Sequence, residues 1–116
     1  MSMSKRVAVV ISEDPTVTHR PVEALRIALG LCAGDHETTV VLLGRAPFLL
    51  TDEIDDVVDV EILEKYRPSF AHLAVPFILE ADSPIPAIRK EFSLSRSQPQ
   101  AIRLFLQSVD RTLVFS

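Results

Sequence analysis

The sequence has little of what marks several common classes of protein. Its 116 residues include one cysteine, three glycines, one tyrosine and no tryptophan. A single cysteine cannot form an internal disulfide, so we expect a reducing, cytoplasmic location. No apolar run approaches the roughly 18 residues that a membrane-spanning helix needs. The first residues, MSMSKR, lead directly into VAVVIS without the pattern of a signal peptide. We therefore expect no membrane span.

Concentrated positive charge is also missing. Lysine and arginine total 12 against 16 aspartate and glutamate residues, and the net charge is −4. The basic residues form only short groups, at Arg20, Arg26 and Arg89–Lys90. Because binding to a nucleic-acid backbone requires a basic patch or stripe, we expect no nucleic-acid partner.

Apolar residues, at 47% of the chain, follow the periods of strands and helices. The run RVAVVIS (6–12) predicts a strand that is buried on both faces, as in a parallel sheet. A helix follows over 21–33, with Pro21 suited to its first turn and Gly34 to its end. The run TTVVLL (38–43) predicts a second strand. These elements form a βαβ unit.

The second half of the chain predicts further elements in less regular order. An acidic segment over 51–63 reads as a loop and an amphipathic helix that Pro68 interrupts or ends. LAVPFIL (73–79) predicts a third strand, in which Pro76 indicates a strand start or a sheet edge. The remaining predictions are a mostly irregular stretch over 83–99 with a short helix at 87–92, a helix over 100–109 and a strand over 112–115.

This order of elements predicts an α/β fold. We expect a single three-layer α/β/α domain over residues 1–116, with a mostly parallel sheet of four or five strands. No repeat, low-complexity segment or interdomain linker interrupts the sequence.

Three stretches resemble the DsrE/DsrF/TusD family of small sulfur-relay proteins. They are VEALRIALGLCAGDHETTVVLLGRAPFLL (22–50), VPFILEADSPIPAIRKEF (75–92) and VDRTLVF (109–115), and their order and spacing carry the resemblance. The resemblance implies a DsrEFH-like fold. It also implies assembly into a homo-oligomer or a hetero-oligomer with related small α/β subunits.

Sulfur-carrying members of that family have a cysteine in the loop after the third strand. The matching stretch here, Leu79-Glu80-Ala81-Asp82-Ser83-Pro84, contains none. Family subunits without this cysteine act as structural partners. The resemblance therefore favours an accessory, non-catalytic subunit of a sulfur-relay or related oligomeric assembly over an enzyme, and it implies no cofactor.

Cys32, the only thiol, is a weak candidate for a persulfide carrier. A carrier needs an accessible thiolate. Cys32 shares a helical face with Leu25, Ala28 and Leu29, which favours a buried structural thiol. Its place near the end of the helix also disfavours a thiolate, because the helix dipole is negative there.

Polar side chains follow the predicted strands, at the edge where open α/β sheets usually bind ligands. Carboxylates that lie close together could perform acid–base chemistry or hold a hard cation, while the alternative is that they only end strands and cap helices. Basic side chains at the same edge could bind a small anion. No histidine or cysteine spacing predicts a metal site. The ligand-binding candidates are Glu13, Asp14, His19, Arg20, Arg45, Glu80, Asp82 and Ser83.

The apolar cluster Phe48-Leu49-Leu50 precedes the acidic segment. Such a cluster either covers the sheet or contacts a partner.

Overall fold

Five parallel strands form the central sheet of the structure, a computed structural model that describes residues 4–85 and 87–116. The sheet order is β4-β3-β2-β1-β5, and every neighbouring pair is parallel. This confirms the predicted fold class. The strands are β1 (Arg6–Ile11), β2 (Glu37–Leu42), β3 (Phe77–Glu80), β4 (Leu94–Ser97) and β5 (Arg111–Phe115).

Helices cover both faces of the sheet. They are α1 (Arg20–Ala33), α2 (Val60–His72) and α3 (Pro99–Ser108), with a short 3₁₀ helix at Ala46–Leu50. Helices α1 and α2 pack against each other, and α3 lies on the opposite face against β3 and β4. Among the described helices, none has both the length and the apolar character needed to cross a membrane.

Alternation along the central strands divides the core into two layers. Val9 and Ile11 belong to the larger cluster with α1 and α2, whereas Val10 packs with Ile102 of α3. Leu49 and Leu50 of the 3₁₀ helix are fully buried in the larger cluster. The apolar cluster at 48–50 therefore covers the sheet, with Phe48 only half-buried.

The third strand begins later than predicted. The prediction of a strand over 73–79 is wrong at its start, because Leu73 caps α2 and Ala74 has a positive φ of 51°. Pro76 lies just before β3, where its carbonyl accepts a bond from Val40 N (2.9 Å) and no amide donor is required of it. Pro76 therefore marks the start of the strand. The alternative of a sheet edge is wrong, because β3 lies between β4 and β2.

Two further predictions, at Pro68 and over residues 87–92, are wrong. Pro68 is exposed inside α2 and does not end it, because the helix continues to His72 and Leu73 N donates to Ser69 O (2.9 Å) after it. No helix forms over 87–92, where Ile88 instead bridges Thr51. The strand β4 was not expected, and it pairs with β3 at the sheet edge.

Candidate functional site at the carboxyl ends of the strands

The candidate residues lie at one edge of the sheet but form separate groups. Glu13 and Asp14 follow β1, whereas Glu80 and Asp82 lie at the end of β3 and in the turn after it. β2 lies between these two strands. A single cluster of all four carboxylates would require β1 and β3 to be adjacent, and the observed strand order separates them.

The first group joins the β1–α1 loop to the residue after Gly44. Arg45 Nε lies 2.9 Å from Asp14 Oδ2, and the guanidinium lies 4.8 Å from the Phe48 ring centroid. The other Asp14 oxygen accepts bonds from Thr16 N (2.8 Å) and Thr16 Oγ1 (2.7 Å). Partial burial raises the pKa of Asp14, but the Thr16 bonds and the Arg45 charge outweigh it and lower the pKa below its ordinary value. Asp14 is therefore a stable anion whose bonding capacity is in use.

The second group joins the same loop to the start of α1. Arg20 Nε lies 3.2 Å from Glu13 Oε1, and its guanidinium lies 5.9 Å from the Phe115 ring centroid. His19 is the exposed N-cap of α1, and its carbonyl accepts a bond from Glu23 N (3.1 Å). The His19 side chain makes no capping bond.

The third group lies at the end of β3. Glu80 Oε1 accepts a bond from Gly44 N (3.0 Å), and Arg96 Nη1 lies 3.5 Å from the Glu80 carbonyl. Gly44 has a φ of 58°, the left-handed conformation that glycine adopts without strain. Ser83 N donates to Glu80 O (3.0 Å) in a turn, so no helix follows for Asp82 or Ser83 to cap. Ser83 Oγ is buried without a partner among the described residues, and Asp82 is exposed.

The chemistry available at this edge is limited. Arg20 and Arg45, the cations that could bind an anion, each already contact a carboxylate. Over residues 4–85 and 87–116, no group of three or more histidine, cysteine, aspartate or glutamate side chains could hold a metal ion.

Cys32 lies at the amino ends of the strands, opposite the carboxyl ends where these residues lie. With His36, it lines a cavity of about 270 Å³ beside the start of β2 and the approach to β3. Cys32 is half-buried against the core, less buried than its apolar helical neighbours indicated. The structure therefore separates the only thiol from every other candidate residue.

Sequence reasoning did not single out Arg67, which is 3% exposed on α2. A signal was present: Leu63, Arg67 and Phe70 recur at four and three residues, and all three are buried. An arginine at an apolar position of a helix indicates a buried guanidinium that needs partners.

The sheet order and the two helical layers together define an α/β protein with a five-stranded parallel sheet. One solved structure with this fold is that of the YchN protein from E. coli, which matches with a TM-score of 0.74 and 15% sequence identity. The match covers 96% of this chain and 99% of the YchN chain. At this identity the likeness shows a shared fold. No protein-family model matches the sequence, and no curated protein matches it.

Proposed function

We propose that this protein is an accessory, non-catalytic subunit of an oligomeric assembly related to the sulfur-relay proteins. The observation that carries the proposal is the turn after β3. Its residues Ala81, Asp82 and Ser83 offer no thiol at the place where sulfur-carrying proteins of the resembled family have one. At the same ends of the strands, Arg20, Arg45 and Glu80 are bonded within the chain, which suits a structural role better than a catalytic one.

Exposed apolar side chains support assembly with other subunits. Val114 of β5 is 57% exposed at the sheet edge, and Leu104 of α3 is 66% exposed. Val114 pairs in register with Val10, so it faces the α3 side of the sheet. An open edge strand with apolar side chains is a surface that proteins usually cover. We therefore propose that β5 and α3 contact a second copy or a related α/β subunit.

Light scattering during size-exclusion chromatography tests this proposal. We expect an oligomer at micromolar concentration that Val114→Lys converts to monomers, because lysine at an edge strand opposes pairing. Val17→Lys is the matched control, since Val17 is 76% exposed in the β1–α1 loop and away from the proposed surface. A monomeric wild-type protein would contradict the proposal.

A persulfide carrier that uses Cys32 is the second candidate function. Its support is that Cys32 is partly exposed and lines a cavity with His36. Intact mass after polysulfide treatment, with alkylation of native and unfolded protein, separates the two functions. The accessory function predicts no sulfur gain in the native state and a Cys32→Ser variant that assembles normally. Rapid sulfur gain on native Cys32 would favour the carrier.

A further inference from the structure

Arg67 is a buried cation that has no counter-ion within 4.0 Å among the described residues. Its Nη1 donates to Thr51 O (2.8 Å), and its guanidinium carbon lies 5.7 Å from the Phe92 ring centroid. Nη2 is sealed from solvent and has no partner among the described residues. Within the described chain, no carboxylate oxygen lies within 4.0 Å of this guanidinium.

This arrangement is costly for the protein alone. Burial of a charge without an opposite charge is unfavourable, and so is a buried donor without an acceptor. Burial lowers the pKa of Arg67, and the nearby Arg89 charge lowers it further. Asp52, Glu64 and Glu91 oppose this effect at longer range. An anion that contacted Arg67 would remove both penalties, and it would first have to displace the side chains that seal Nη2 from solvent.

A cavity of about 210 Å³ adjoins Arg67. Its lining residues come from the loop before α2, from α2 and from the loop before β4, and they include two arginines and two glutamates: Ile54, Glu64, Arg67, Pro68, Arg89 and Glu91. A water molecule occupies about 30 Å³ of liquid, so the cavity has room for an anion the size of phosphate. The Arg89 backbone is fixed by its bond from N to Leu50 O (2.9 Å).

We propose that this cavity binds a tetrahedral oxyanion, such as a phosphate group, between the guanidinium groups of Arg67 and Arg89. Guanidinium groups bind phosphate oxygens through paired, charge-assisted hydrogen bonds. Two such groups on different elements suit the oxygens of a tetrahedral anion better than a planar carboxylate. The cavity is distinct from the strand-end groups and from Cys32.

In the absence of the anion, Glu91 and Asp52 pair with Arg89. Arg89 Nε lies 2.8 Å from Glu91 Oε1 and 3.6 Å from Asp52 Oδ1. Both pairs are solvent-exposed, and exposed pairs contribute little. A bound oxyanion therefore displaces Glu91 from Arg89, and Glu91 acts as a competitor for the cation.

Isothermal titration calorimetry of the full chain with inorganic phosphate, which measures the dissociation constant, tests the proposal. We expect saturable binding that Arg89→Gln weakens about tenfold or more, because charge-assisted hydrogen bonds are lost. Glu91→Gln should tighten binding about threefold, since an exposed competing pair is removed. Arg26→Gln is the matched control: Arg26 is an exposed arginine that pairs with nearby Glu23, and its loss should leave binding unchanged.

Two further variants make the result decisive. Arg67→Lys keeps a charge but loses the planar fork, so it should weaken phosphate binding; if it fails to fold, Arg89→Gln and Glu91→Gln still decide. Loss of binding in Arg45→Gln with normal binding in Arg89→Gln would overturn the proposal in favour of the strand-end groups. Absence of saturable binding at millimolar phosphate would also overturn it. Tighter binding of glycerol 3-phosphate than of inorganic phosphate would support the same site with a phosphomonoester as its ligand.

Discussion

The arginines of the strand-end groups differ from Arg67 in whether a carboxylate pairs with them. At the strand ends, Arg20 and Arg45 each pair with a carboxylate in a position that solvent reaches. Arg67 is buried, bonds one carbonyl and leaves Nη2 without a partner. The strand-end arginines are thus paired within the chain. Arg67, which is not paired, lies on the buried face of α2 with Leu63 and Phe70. Incomplete bonding of a buried charge, rather than the number of charged residues, distinguishes the Arg67 cavity from the strand-end groups.

The largest expected effect comes from removal of the Arg67 side chain. Arg67→Ala should lower the free energy of unfolding by about 2–4 kcal/mol, because it leaves a cavity and an unpaired Thr51 carbonyl. Arg67→Met also leaves the Thr51 carbonyl unpaired, but it keeps most of the volume and removes the buried charge, so it should cost less than Arg67→Ala, about 1–2 kcal/mol. Urea denaturation measures both values.

The matched comparison for Arg67 is Arg45→Ala at the strand ends. Its exposed pair should contribute less than about 1 kcal/mol. Equal losses for Arg67→Ala and Arg45→Ala would mean that the two regions do not differ in the way described.

Gly44 gives the next largest effect, because its conformation presents its amide to Glu80. Gly44→Ala should lower the free energy of unfolding by about 1 kcal/mol, since a side chain is disfavoured at its φ of 58°. Gly30→Ala is the control. Gly30 lies in α1 with open space around its α-carbon, and alanine there should stabilise the protein by about 0.5–1 kcal/mol. Thermal unfolding of the two variants should shift in opposite directions, and a shared direction would contradict the geometry at Gly44.

The smallest effect concerns acid stability at the strand ends. The folded state holds the pKa of Asp14 below its ordinary value of 3.8. The Asp14 carboxylate therefore contributes stability above that pH, and the contribution is lost as pH falls through the lowered pKa. Asp14→Asn should cost about 0.5–1 kcal/mol at neutral pH. The difference from wild type should shrink below pH 3.8. Asp82→Asn, at an exposed carboxylate, is the control. A difference that stays constant across the acid range would disprove the role of the Asp14 charge.

The sequence predicted β1, β2, α1 and α3 because apolar residues form a continuous run in a buried strand and recur at helical spacing in a helix. The helix predicted from the acidic segment 51–63 lies later in the chain, at Val60–His72, because the residues before it form turns. After their first residues β1 and β2 are buried throughout, and α3 begins and ends within one residue of its predicted bounds. β4 could not be recognised, because LSRS is a mostly exposed edge strand with neither an apolar run nor alternation. Its pairing with β3 comes from tertiary structure.

The candidate site was predicted only in its location. The sequence placed the polar residues at the carboxyl ends of the strands, and they lie there. Which of them pair depends on the strand order, and no local pattern encodes that β2 separates β1 from β3. Arg67 was missed because Pro68 predicted the end of the helix, and a buried position is not expected directly before a helix end.

The pairing of β5 with β1 has a consequence for how the chain folds. Asp110 accepts a bond from Arg6 N at 2.8 Å across a separation of 104 residues. During synthesis β1 can pair with β2 early, but its other edge stays open until residues 111–115 emerge from the ribosome. Contacts of such long range form slowly, because the loop must close before they contribute. Until then the apolar edge of β1 is the surface on which a nascent chain would aggregate or recruit a chaperone.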